Sequence, residues 1–301
     1  DSTLMRHMKI VPDVRFGIRG SWAIGKCSIC GIVQTISVFS SDHLSYFYEN
    51  YYNFHRIKGT NYIKFRRQFL FSRFYRVWLA LDGDISFHSV NGSGRLLDVG
   101  CNEGRGMMLF KKNGFDVEGL DRNPRAAVEA IKKGFKTFTK PIEEHHPKEP
   151  VDVVVLSNVL EHSFNPKLML SRVSGFLKVG GQVWISCPNF NSWQRTVFGK
   201  YWINWHVPFH LSHFSKETLF NLLAETGFQI VQEKQKSPSL WMALSIIARL
   251  FAKTGRPTVQ MRNPFLVGTL MVVIRFLLFP LLWIGNLLAR GDCLIVVAKK
   301  I

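Results

Sequence analysis

Residues 96–106 read LLDVGCNEGRG, an apolar run that passes through an acid into a loop of spaced glycines. Gly100, Gly104 and Gly106 let the backbone come close to a ligand before a helix over 104–113. A strand, a glycine loop and a helix in that order open the nucleotide sites of open α/β sheets. Outward from this unit the alternation continues. FDVEGLD (115–121) reads as a strand, Pro124 as a helix start, and KTFT (136–139) as a short strand. VDVVVLS (151–157) is apolar throughout, as a strand covered on both faces must be. Pro166 starts another helix, Gly180-Gly181 ends the connection, and QVWISC (182–187) is a fifth strand. FQIVQEKQK (228–236) and DCLIVVAKK (292–300) add two more, with a helix beginning after Ser215. The fold class is α/β: a doubly wound, mostly parallel, seven-stranded sheet with a helical, apolar insertion before the last strand.

The chain has 301 residues, enough for one large domain or two, and 47% hydrophobic with 20% charged residues is a globular balance. Four segments are expected: an N-terminal region (1–94), the core (95–237), the apolar insertion (238–290) and the final strand (291–301). Cysteines at 27, 30, 101, 187 and 293 are odd in number and scattered, which argues against a disulfide framework and for a reducing cytoplasm. No leader pattern is seen near Asp1, and a chain that opens on Asp rather than Met is expected to be a piece of a longer one. The net charge of +18 includes a stretch, 238–301, whose one acid is Asp292. Such a balance suits an anionic surface or substrate, or simple solubility.

The loop spacing G-x-x-x-G-x-G differs from the dinucleotide fingerprint, and Asp98 and Glu103 would repel a pyrophosphate. A ligand with an amino group and a sulfonium meets no such repulsion, and S-adenosylmethionine (SAM) has both. Asp121 ends the second strand, where a carboxylate accepts both ribose hydroxyls. That acid alone would serve NAD equally well, so the preference for SAM rests on the loop.

LLDVGCNEGRG, GLD, VDVVVLSNVLEH and LKVGGQVWISCPN, in that order, resemble the class I SAM-dependent methyltransferases and their Rossmann-like fold. The likeness is to the branch holding ubiquinone-biosynthesis O-methyltransferases and sugar methyltransferases, and it covers about 95–236 plus the last strand. The resemblance implies SAM as cofactor, with Asp98, Gly100 and Gly104 around its methionine part and Asp121 on the ribose. It places Arg122, Ile142 and Glu143 beside the adenine, and Ser157 and Asn158 toward the sulfonium. Glu161-His162 would shape the pocket floor.

Methyl transfer to a hydroxyl needs a positioned nucleophile and a group that removes its proton. His206, His210 and His213 crowd NWHVPFHLSHFS (204–215). Sugar-methyltransferase relatives carry His-Leu-x-x-Phe-Ser after the fifth strand with its first His near the acceptor, which makes His210 the candidate general base. Phe209 stands where some relatives have Glu, so no carboxylate assists it by this route. His206 and His213 are expected to cap the helix or to pack with Trp202 and Trp205. No acid or cysteine adjoins the three histidines, and no metal is assigned there. Relatives often carry an N-terminal zinc module of two cysteine pairs; KCSICG (26–31) is a lone pair, so zinc is not expected on this chain.

Residues 56–76 hold seven Lys or Arg interleaved with aromatics and no acid. They read as a lid helix, a helix on anionic lipid, or, least favoured, a nucleic-acid contact. PFLVGTLMVVIRFLLFPLLWIGNLLA (264–289) carries one charge, Arg275, and exceeds the ~20 residues that cross a bilayer. In this fold the strands at 228–236 and 292–300 are sheet neighbours, so one crossing between them is excluded. The expectation is a monotopic docking insertion over 238–290, with Arg249, Lys253, Arg256 and Arg262 toward headgroups, or else a dimer face or pocket cover. The expected protein is a cytoplasmic methyltransferase, peripheral at the inner face of a membrane, acting on a small-molecule or lipid-linked acceptor. The hydroxyl of a sugar, a lipid-linked glycan or a quinone-like molecule is preferred to carbon. The rivals are an NAD-dependent sugar-modifying enzyme and a non-catalytic membrane- or nucleic-acid-binding protein.

Overall fold

The structure, a computed structural model, describes residues 5–36, 41–52, 68–70 and 72–301. The chain falls into two compact units, each made of three separate segments. One comprises 84–187, 216–234 and 294–301; the other comprises 1–83, 188–215 and 235–293. Of the basic stretch 56–76, residues 56–67 and 71 lie outside the described residues; a helix starts at Arg73 and ends at Asp82.

The first unit is built on the seven-stranded sheet. Its strands are β1 (Arg95–Val99), β2 (Asp116–Leu120), β3 (Lys136–Phe138), β4 (Val151–Ser157), β5 (Leu177–Pro188), β6 (Phe228–Lys236) and β7 (Cys293–Lys300). The spatial order is β3-β2-β1-β4-β5-β7-β6. Strand order therefore reverses between β1 and β4, where open α/β sheets hold their ligands. The pairings β1–β2, β2–β3, β1–β4 and β4–β5 are all parallel, with Asp98 opposite Gly119 on one side and Val155 on the other. Val153 to Leu156 are buried, so the apolar run of β4 has protein on both faces.

The two proline helix starts are capped in the way their sequences allow. The side chain of Asn123 accepts the Arg125 N–H at 3.0 Å, and that of Asn165 accepts the Leu168 N–H at 2.9 Å. β5 starts earlier than its apolar run indicated. Leu177 already pairs with Val151, and the register then skips to Gln182 opposite Val153. Gly180-Gly181 is thus a bulge inside the strand, with Gly180 at φ +79°, rather than the end of a loop.

The second unit has a four-stranded antiparallel sheet of Met5–Pro12, Ser21–Cys27, Val33–Thr35 and Ser212–His213. Its core gathers Val11, Ile24, Trp202, Trp205 and Phe209 with Met242, Ile274 and Leu282. The Cys27/Cys30 pair occupies the turn between two of these strands, where the Cys27 carbonyl accepts the Gly31 N–H at 3.1 Å. Backbone N–H groups of Cys30 and Ile29 hold the Cys27 thiol below its usual range.

The apolar insertion forms three helices, Ser239–Phe251, Pro264–Leu277 and Phe279–Leu287. The first is a core helix: Met242, Ala243, Leu244, Ile247 and Ala248 are all buried. Among the described residues no single helix is long and apolar enough to cross a membrane, and the last two meet at a 70° bend. Arg275 does not face outward. Its guanidinium reaches the Asp82 carboxylate at 2.5 and 2.9 Å and the Ser237 carbonyl at 2.9 Å, with both charged side chains 7% exposed. Asp82 in turn accepts the Ser239 N–H at 3.0 Å, at the start of the core helix.

Candidate functional site

The glycine loop is held against β2 by its own backbone. The Gly100 N–H donates to the Leu120 carbonyl at 2.7 Å, and the Asn102 N–H donates to the Asp121 carboxylate at 2.7 Å. Asp121 also accepts the Asn123 N–H at 2.8 Å. Gly100 adopts φ +70°, and an added Cβ would lie 2.7 Å from Val159, so both conformation and space demand glycine. Gly104 closes the loop, its N–H on the Cys101 carbonyl at 2.9 Å, and the helix Arg105–Lys112 follows. At Gly106 an added Cβ would come 3.1 Å from His88 Nε2 and 3.4 Å from Asp98 Oδ2. That glycine therefore makes room for a buried acid and an imidazole.

Asp98 is the most perturbed acid of the loop region. Burial first, and then the charge of Asp121, push its carboxyl up to about 7. Burial raises Asp121 as well, against the two N–H groups that favour its ionised form. Two acids each made reluctant to ionise form a site that a cation would complete. Glu103 contributes less than its position suggested: Arg105 pairs with it at 2.5 Å, and Lys133 holds its carbonyl. The repulsion that disfavours a pyrophosphate therefore comes from Asp98 and Asp121.

The remaining candidates lie at the carboxyl ends of neighbouring strands. Ser157 ends β4; its hydroxyl donates to the Ile85 carbonyl at 3.3 Å and accepts from Ser186 at 3.2 Å. Asn158 sits at φ +54° with its N–H on the Ser186 carbonyl at 2.8 Å. After β3, Ile142 is buried in a short turn, while Glu143 is exposed and its carbonyl takes Arg172 at 2.5 Å. Arg122 is exposed next to Asp121. Glu161 is buried, and desolvation pushes it up to about 8, so it is held protonated near neutral pH.

Sequence reading missed His88. The preceding loop is folded around Asp84, whose carboxylate accepts the Ser86, His88 and Ser89 N–H groups at 3.2, 3.0 and 2.6 Å. An aspartate followed by serines is an Asx-turn signal, and it carries His88 to the glycine loop.

The second unit holds the histidines. His210 Nδ1 lies 2.8 Å from the Asn204 carbonyl, which can only accept, so Nδ1 bears the proton of the neutral ring. His210 Nε2 is then the accepting nitrogen, and His206 Nδ1 lies 3.2 Å from it. With His210 neutral, His206 Nδ1–H donates to His210 Nε2 and His210 Nδ1–H donates to the carbonyl; with His210 protonated, Nε2–H is the donor to His206. His206 is consequently the ring partner of His210, and it stacks on Tyr52 at 5.8 Å and 19°. His213 is different. It packs edge-on to Trp205 at 5.1 Å, and burial followed by Arg195 holds it down at about 3, neutral throughout the working range.

Beneath this pair lies an acid that the sequence did not mark as part of any site. Asp292 is fully buried and accepts from Ser192 Oγ at 2.5 Å, Trp202 Nε1 at 2.8 Å and Asn204 Nδ2 at 3.0 Å. Burial raises it to about 6 against those hydrogen bonds. Asn204 thus joins Asp292 through its side chain to His210 through its carbonyl.

Residues 62–233, more than half of the chain, match the family model described as a methyltransferase domain. The chain belongs to this methyltransferase-domain family. Among curated proteins it is similar to the ubiquinone biosynthesis O-methyltransferase of Klebsiella pneumoniae subsp. pneumoniae, 32% identical over 124 residues that make up 38% of this chain and 51% of the relative. The enzyme of the same name from Photorhabdus laumondii subsp. laumondii is 31% identical over 124 residues, 38% of this chain and 52% of that one. The chain spans about half the length of the curated relatives it matches. A solved SAM-dependent methyltransferase from Archaeoglobus fulgidus aligns at 22% identity and a TM-score of 0.49, over 80% of this chain and 100% of that one.

Proposed function

We propose that the protein is a SAM-dependent methyltransferase acting on a hydroxyl of a sugar, a lipid-linked glycan or a quinone-like acceptor. One observation carries the cofactor assignment: the glycine turn sets a buried carboxylate, Asp98, and a half-buried one, Asp121, whose charge acts on Asp98, at the ends of adjacent parallel strands. They fit a ligand with an ammonium at one end and ribose hydroxyls at the other. When bound, SAM supplies an electrophilic methyl whose C–S bonding pair leaves with sulfur, giving S-adenosylhomocysteine. The acceptor oxygen forms the new bond to carbon, and its proton passes to Nε2 of His210, whose ring is oriented by Asn204; the His206 Nδ1–H that occupies this nitrogen gives way as the acceptor hydroxyl takes its place. The hydroxyl preference follows from this imidazole and from the O-methyltransferase relatives.

The test is calorimetric titration with S-adenosylhomocysteine and, separately, NAD⁺. Micromolar binding of the first, lost in Asp121→Ala, is expected. Tight binding of NAD⁺ would replace the reading with a dehydrogenase-like one, and binding of neither would leave a non-catalytic protein.

Asp98 adds a pH signature. Its carboxyl is raised to about 7 in the ligand-free protein, and an ammonium favours the ionised form. Binding must then expel a proton below pH 7, and affinity falls about tenfold per unit as pH drops further. Above pH 7 the affinity levels off. Asp98→Asn should bind more weakly and lose this slope, which the same titration read between pH 5 and 8 would show.

A further inference from the structure

The helix pair Pro264–Leu277 and Phe279–Leu287 is apolar on the side that faces water. Phe276, Leu277, Trp283, Ile284, Leu287 and Leu288 are between 47% and 73% exposed, while Ile274 and Leu282 on the inner side are buried. A helix that is apolar all round belongs in a core or in lipid, and a patch of this kind is a contact surface rather than ordinary protein exterior. The one charge within 264–289, Arg275, is turned inward onto Asp82, so the outward face carries none.

The pair is not a single transmembrane crossing, because the chain enters and leaves it from neighbouring strands of one sheet. Charge indicates what covers it. No acid occurs between Glu233 and Asp292, and Asp292 is buried. Exposed cations bracket the apolar face along the chain, Arg249, Lys253 and Arg256 before it and Arg290 after it. A second copy docked face to face would bring these cations against their own like. An anionic lipid surface neutralises them while taking up the apolar side chains.

We propose that this outward face lies in the plane of an anionic phospholipid bilayer, at the depth of the headgroups and upper acyl chains. Of the core helix Ser239–Phe251 only the last turn, Arg249 to Phe251, is exposed. The proposal stands apart from the methyl-transfer reading, since no residue of the glycine loop or the histidine pair enters it.

The full chain is sedimented with phosphatidylcholine vesicles, with and without phosphatidylglycerol, and binding of S-adenosylhomocysteine is measured on the same preparation. Co-sedimentation is expected with phosphatidylglycerol, weakening as salt is raised. Arg249→Gln and Lys253→Gln should each weaken it about fivefold. The double change Phe276→Ser with Leu277→Ser should abolish it without altering the circular dichroism spectrum. Protein that stays in solution with every vesicle while still binding S-adenosylhomocysteine would overturn the proposal alone. Equal binding to both vesicle types would overturn the anionic assignment. A dimer seen by light scattering and dispersed by the double serine variant would assign the face to a second copy.

Discussion

His210→Ala is expected to lower methyl-transfer turnover by roughly 10²–10⁴-fold while leaving affinity for S-adenosylhomocysteine unchanged. The expectation follows from tautomer logic rather than from the presence of a histidine. The Asn204 carbonyl 2.8 Å from Nδ1 fixes the proton there, so the neutral ring presents its lone pair at Nε2. Alanine removes that lone pair and nothing from the glycine loop. His206→Gln tests the partner: it breaks the 3.2 Å contact with His210 Nε2 but leaves His210 in place. Its turnover should fall less, and the acid limb of the pH–rate profile should move, which a purely structural role would not produce. A radiolabelled methyl transfer assay across pH reads both. Full turnover in His210→Ala would remove the imidazole from the mechanism.

Arg275→Met should destabilise the protein by about 3–5 kcal/mol, because it strands the Asp82 carboxylate in a buried place. Both side chains are 7% exposed and the closest N···O distance is 2.5 Å, so little solvent screens the pair. Asp82 keeps the Ser239 N–H, which limits the loss without replacing a full positive charge. Asp82→Asn leaves the guanidinium with the Ser237 carbonyl and should also destabilise. The double variant, with neither charge, should lose less than the sum of the single changes. Urea denaturation of the four proteins gives the coupling directly, and strict additivity would mean that the pair contributes no specific interaction.

Much of the sheet was readable because its strands are short apolar runs separated by glycine, proline and helix caps. The starts at Pro124 and Pro166 fall where a cap precedes a proline. The placement of Asp98, Gly100 and Asp121 at the ends of adjacent strands was readable because a close backbone approach and a carboxylate at a strand end are local features. What failed needed side-chain direction or partners from elsewhere in the chain. Glu103 looked like free negative charge until Arg105 turned back onto it. Gly180-Gly181 looked like a loop end because a bulge and a turn use the same residues. The small sheet was invisible because one of its strands is the two-residue piece Ser212–His213, supplied from far along the chain. His206 does pack, though against Phe16, Tyr52 and Phe209 rather than the tryptophans, and its contact with His210 is added by the fold. Asp292 carried a clue, as the one acid in 238–301, but its three donors come from 192–204.

Both units are assembled from three separated stretches of chain, and each closes only with residues near the end: Asp292 in one, β7 in the other. On a ribosome neither unit can finish until residues 292–300 have been made. The apolar helices of 264–287 emerge before Asp292 and the last strand that complete the two folds. Until those residues follow, the nascent chain carries unpaired strands and uncovered apolar helices, a period open to aggregation. A lipid surface or a chaperone available at that moment would set the yield of protein, whatever the stability of the finished fold.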